Sequence, residues 1–302
     1  MKHMTIASRT FFDVRIIFFA VAVVIVSVAG IAASTNNAHA AVCTFDNGGG
    51  DGNFNNAVNW GDCAHVPTSG DNVVIASGYT LTLSAGPVSV STLNSSSTID
   101  ARNFDFTVTS TARLDNGGVV TSTSGNLGFG GTLVVGNVGT NKLGTISGNI
   151  NVSSTFQVLG ASAVLDVGSG TSTFYETFTV AQGATIFGRT GTLEILGTSI
   201  NISSATMSMS SAKLLFSGSG ATSLVYSVQN PTAFGDIVID KTSNTVTLSG
   251  NGTSTGNVSI RSGGFSLGSN TFRIAGNLTV NGGTFTPGTG TIELNGSGGQ
   301  VV

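Results

Sequence analysis

His65 is the only histidine after residue 40, so the bulk of the chain cannot assemble a histidine-based triad or a multi-histidine metal site. Gly252-Thr253-Ser254-Thr255-Gly256 matches the G-x-S-x-G pattern, but a nucleophile elbow needs a strand-to-helix turn and no helical pattern follows. Glycoside hydrolysis needs two carboxyls about 5–10 Å apart. The nearest pairs are Asp46/Asp51, Asp100/Asp105 and Asp236/Asp240, while Glu176 and Glu194 are spaced to stack on neighbouring coils of a repeat. No cluster of Lys, Arg or His accompanies them in sequence. Asp46-Asn47-Gly48-Gly49-Gly50-Asp51-Gly52-Asn53 sets oxygen ligands at loop spacing without the closing Glu of a calcium loop, and reads as a Gly-rich tie. Trp60, the lone tryptophan, has the flat face to stack on a sugar. Beside a close cysteine pair it reads instead as the core of a cap, together with Phe54. The sequence thus predicts no catalytic, cofactor-binding or metal-binding residue.

The elements that would position these residues are short strands. Runs such as Asp71-Asn72-Val73-Val74-Ile75, Thr80-Leu81-Thr82-Leu83, Phe104-Asp105-Phe106-Thr107-Val108, Thr132-Leu133-Val134-Val135 and Asp236-Ile237-Val238-Ile239 are β-rich, with alternation in several, and are bounded by Gly, Ser and Asn. Helix formers never gather at helical spacing after residue 40. Asn257-Val258-Ser259-Ile260 returns as Asn277-Leu278-Thr279-Val280, twenty residues on. Gly191-Thr192-Leu193-Glu194-Ile195-Leu196-Gly197 returns as Gly290-Thr291-Ile292-Glu293-Leu294-Asn295-Gly296, and Leu215-Phe216-Ser217-Gly218-Ser219-Gly220 returns as Glu293-Leu294-Asn295-Gly296-Ser297-Gly298. A unit of about 20 residues cannot bury its own apolar face and must stack. The sequence therefore predicts an all-β fold: a parallel β-solenoid, right-handed β-helix-like, of about 20-residue rungs. Roughly 11 rungs at about 4.8 Å would make a rod of around 55 Å. The competing solution is an antiparallel sandwich using Asn116-Gly117, Asn251-Gly252 and Asn281-Gly282 as hairpin turns.

Lys2, Arg9 and Arg15 precede an uncharged apolar run from Ile16 to Ala33, and Ala38-His39-Ala40 fits a small-x-small cleavage site. Residues 1–40 are expected to be a signal peptide; the alternative is an uncleaved signal anchor, the one expected contact with a membrane. Residues 41–70 are expected to form an N-terminal cap and residues 71–302 the solenoid, continuing or capped by another subunit beyond Val302. The cysteines, Cys43 and Cys63, would close a loop worth about 3 kcal/mol as a disulfide. After residue 40 the chain holds 8 Lys and Arg against 13 Asp and Glu, which excludes an extended phosphate-binding surface and with it nucleic acid.

Thr44-Phe45, Asp51-Gly52-Asn53-Phe54, Asn59-Trp60, Pro67, Asp71-Asn72-Val73-Val74-Ile75, Gly78 and Leu81-Thr82-Leu83 together resemble the segment that leads into the first rungs of many secreted bacterial surface proteins, and the start of G8-type domains. The Gly-Thr-Ile-Glu-Leu-Asn-Gly-Ser-Gly run from Gly290 resembles the rungs of autotransporter-like and adhesin-like β-solenoids. The resemblance implies a secreted or cell-surface protein. The expected function is a non-catalytic extracellular scaffold or adhesin-like stalk, with surface glycans or other copies of itself as partners and no cofactor. The alternatives are a carbohydrate-binding or polysaccharide-degrading β-helix protein and a self-assembling matrix protein.

Overall fold

The structure, a computed structural model, describes residues 40–136, 138–180, 183–202, 205–225 and 234–302. The expected signal segment lies outside the described residues. Each coil carries three short strands separated by corners, and the strands stack on their counterparts in the next coil to make three faces. The first face begins with Val42–Thr44, Asn72–Ile75 and Thr92–Ser95 and runs to Thr284–Thr286. The second begins with Thr80–Thr82 and Thr98–Asp100 and ends with Thr291–Leu294. The third begins with Val88–Val90 and Phe106–Val108 and ends with Leu278–Val280. These pairings are all parallel, and the one helical turn among the described residues is Ala57–Asn59. Among the described residues no hairpin joins neighbouring strands: Asn116 and Gly117 both take left-handed backbone, but they turn a corner from the first face to the second.

The stack has ten coils of about 21 residues, slightly longer than the sequence period suggests, because steps between registered residues range from 18 (Leu81 to Ile99) to 25 (Met209 to Phe234). With the cap strand the first face is twelve strands long, about 53 Å at 4.8 Å per step. The close-range recurrence is a true register, since Val258 pairs with Leu278. The two long-range recurrences are not: Thr192–Ile195 lies on the third face and Thr291–Leu294 on the second. All three sides use similar strand-and-corner units, so a motif recurs at thirds of a coil as readily as at whole coils.

Alternation turns every other side chain inward, so that strands such as Val88–Val90 and Phe106–Val108 each feed two buried columns. On the third face Val90, Val108, Phe129, Val152, Phe174, Ile195, Phe216, Ile239 and Ile260 stack in register and are all buried. Each such side chain contributes about 1.5–3 kcal/mol on burial. Corners are held by side-chain ladders. Asn126 N–H donates to Asp105 Oδ1 at 2.8 Å, Asn149 N–H to Asn126 Oδ1 at 3.1 Å and Thr171 N–H to Asn149 Oδ1 at 2.8 Å. The ladder resumes at the same corner from Asp236 through Asn257 and Asn277 to Val301.

Candidate functional site

The cap extends two faces of the rod. Val42–Thr44 pairs with Asn72–Ile75 on the first, and Asn53 bridges to Thr82 on the second. Cys43 and Cys63 form a disulfide. Trp60 is wholly buried, donates its indole N–H to the Phe54 carbonyl at 2.8 Å, and packs edge-on against Phe45 and Phe54. Phe54 in turn meets Phe106 of the third face. Trp60 therefore has no face to offer a sugar; it seals the end of the core. The Gly-rich loop is tied by its own carboxylates. Asp51 accepts from Asn53 N–H, Asn59 Nδ2 and Asn56 Nδ2, and Asp46 accepts from Gly48 N–H. A Cβ on Gly61 would collide with Asp46 Oδ2, and one on Gly48 would sit 2.6 Å from the Val58 carbonyl.

His65 latches the cap to the first coil. Its Nδ1 donates to the Cys63 carbonyl at 2.6 Å and its Nε2 to Asp71 Oδ2 at 3.0 Å. Only imidazolium can donate from both nitrogens. The bond to Asp71, followed by that to Cys63, raises the His65 pKa above 6.5. Burial alone would raise the Asp71 pKa, but bonds from Thr68 N–H and Oγ1, His65 and Ala41 N–H outweigh it and hold it at about 2. A raised histidine contributes stability below 6.5 that is lost as pH rises through its folded value, and a depressed carboxylate contributes stability above 3.8 that is lost as pH falls toward about 2. The latch is thus tightest between about pH 4 and 6.5. Trp60 fluorescence during denaturant unfolding should report a cap that opens more easily at pH 8 than at pH 5.5, and His65→Ala should erase the difference.

Of the paired carboxylates, Asp100 lies on the second face and Asp105 at the corner before the third. Asp236 and Asp240 sit at opposite ends of one third-face strand segment. Thr173 registers with Glu194, so Glu176 lies three residues further along its coil and the two glutamates do not stack. Each is engaged by hydroxyls: Ser154 donates to Glu176, and Thr173 and Ser217 donate to Glu194. Ser254 of the G-x-S-x-G match is buried and donates to the Gly235 carbonyl.

Lys241 is fully enclosed at a corner, its Nζ donating to the Ser217 carbonyl at 2.9 Å and to Thr222 Oγ1 at 3.1 Å. Burial lowers its pKa below 10.5. Between the folded value and 10.5 the unfolded chain binds more protons, so this residue makes stability rise with pH there. Melting temperature is expected to gain an alkaline increment in the native chain that Lys241→Met lacks.

Two features stand out on the solvent faces. On the first, Thr92, Thr111, Thr132, Thr155, Thr177, Ser199, Ser223, Thr247, Ser266 and Thr286 occupy one outward position in ten successive coils. Every member is a hydroxyl. The mid-strand outward lines are mixed, both on this face (Asn94, Arg113, Val134, Gln157, Thr179 and Asn201) and on the third (Ser89, Thr107, Gly128, Asn151, Thr173 and Glu194 among them). The general fitness of Thr and Ser for a solvated sheet therefore does not explain the unbroken line.

On the second face, the outward line runs Asp100, Thr121, Gly144, Asp166, Phe187. The missing side chain at Gly144 opens a cleft of 330 Å³ lined by Asp100, Thr121, Lys142, Asp166 and Arg189 among others. Asp166 is buried and accepts from Gly168 N–H, while Lys142 Nζ and Arg189 Nη2 stand 3.5 and 3.9 Å from its other oxygen. Sequence inspection missed this group because its members are 24 and 23 residues apart. Only stacking one coil on the next brings them together.

Comparison with protein-family models, with curated proteins and with solved structures finds no match to this chain.

Proposed function

We propose that this chain is a non-catalytic extracellular scaffold: a stiff stalk whose first face makes many weak, repeated contacts. The observation that carries this reading is the ten-coil line of hydroxyls on a continuous apolar core. A stacked core resists bending because each coil is fixed by its neighbours. Side chains repeated at about 4.8 Å suit extended ligands that repeat along their own length. Placement outside the cytoplasm rests on the apolar leader and the disulfide. A glycan array combined with a polysaccharide-cleavage assay tests the reading. Array binding that falls as first-face threonines are replaced, with no cleavage, is expected; cleavage at enzymatic rates would end the scaffold account. A second reading, carbohydrate binding at a discrete site, is favoured by the second-face cleft.

A further inference from the structure

We infer that the Gly144 cleft binds the carboxylate of a uronic-acid unit in an acidic glycan, a site that deepens the scaffold reading without depending on the hydroxyl line. The other arginines in ion pairs on the rod are tightly engaged. Arg113 Nε reaches Asp115 at 2.7 Å and Arg273 Nε reaches Glu293 at 2.6 Å. Arg189 and Lys142 are different. They share one carboxylate, and both stand beyond the ~2.7–2.9 Å of a charge-assisted hydrogen bond. Among the described residues neither side chain donates a hydrogen bond elsewhere, so the donors that matter for an anion are open.

The local chemistry fits a sugar acid. Two cations facing one carboxylate leave a net positive charge at the cleft's upper end, in a chain whose net charge is otherwise negative. The Arg189 guanidinium lies over the Phe187 ring, 5.5 Å from its centroid, which orients the planar fork before any ligand arrives. At the other end Asp100, with Thr121 beside it, offers acceptors for sugar hydroxyls. Gly144 forms the floor: a Cβ there would lie 2.7 Å from the Asp166 Cβ, so any side chain would fill the space a ligand needs. Asp100 and Asp166 are three coils apart, their backbones about 14 Å from each other, a spacing that holds a saccharide along the rod.

The test titrates the full chain with oligogalacturonate, oligomannuronate and glucuronate-containing oligosaccharides, each alongside its methyl ester, by calorimetry. At least one acid should bind about tenfold or more tightly than its ester, since only the acid makes charge-assisted bonds. Arg189→Met, which keeps an unbranched stem over Phe187, and Lys142→Met should each cost about tenfold. Arg113→Met, on the first face, should leave affinity unchanged. Circular dichroism of each variant establishes that it is folded. If the two cations serve only to neutralise Asp166, their loss lowers the melting temperature while the native chain binds no uronate; that result, or equal binding of acid and ester, overturns the site. Cleavage of a bound oligomer would leave the uronate site standing and overturn the non-catalytic reading instead.

Discussion

Replacing Phe178 with Ala is expected to destabilise the chain by about 3–5 kcal/mol, the usual cost of emptying a buried phenylalanine site. Phe178 is fully buried on the first face at mid-rod. Its ring lies 5.2 Å from Phe156 in the coil before and 4.7 Å from Phe174 across the core. Stacked strands above and below fix the backbone, so the cavity cannot collapse, which favours the upper part of that range. The melting temperature should fall on the order of 10 °C. Because coils contact only their neighbours, the defect should also split unfolding into more than one step. A single sharp transition shifted by a degree or two would show that these rings do not form one continuous core.

The double substitution Cys43→Ser, Cys63→Ser should remove about 3 kcal/mol of stabilisation in the chain-entropy picture. The loss should be local. Cys43 sits in the outermost first-face strand, and Cys63 anchors the loop that follows Trp60. As the only tryptophan, Trp60 isolates the cap from everything else by fluorescence. In the variant its emission should change at clearly lower denaturant than the loss of β signal in circular dichroism. Coincident transitions would mean that cap and rod unfold as one unit.

The fold was legible because the physics of a stacked coil writes itself along the chain. Alternation in Thr80-Leu81-Thr82-Leu83 places Leu81 inside and Thr80 outside, and the same rule holds from Phe106 to Ile274. Asn257 and Asn277 precede their strands because their carboxamides carry the corner ladder. The disulfide and the packing of Phe54 and Trp60 followed from cysteine spacing and from the need to cover an open end. The side chains of the cleft were not legible, for a reason of geometry. Lys142, Asp166 and Arg189 belong to three coils of unequal length, and a one-residue error in any corner would move a side chain to the opposite surface. The long-range motif matches misled in the same way, since three similar faces make a third of a coil look like a whole one.

Pulsed electron spin resonance between nitroxide pairs on the first face tests the parallel stack most directly. Labels at Thr111 and Ser199, at Thr92 and Ser223, and at Thr92 and Thr286 are separated by four, six and nine coils. Backbone separations of about 19, 29 and 43 Å are expected, growing by one strand spacing per coil. Distances that instead alternate between near and far as the label moves along the chain would belong to a sheet of hairpins, and would contradict the solenoid and every functional inference built upon it.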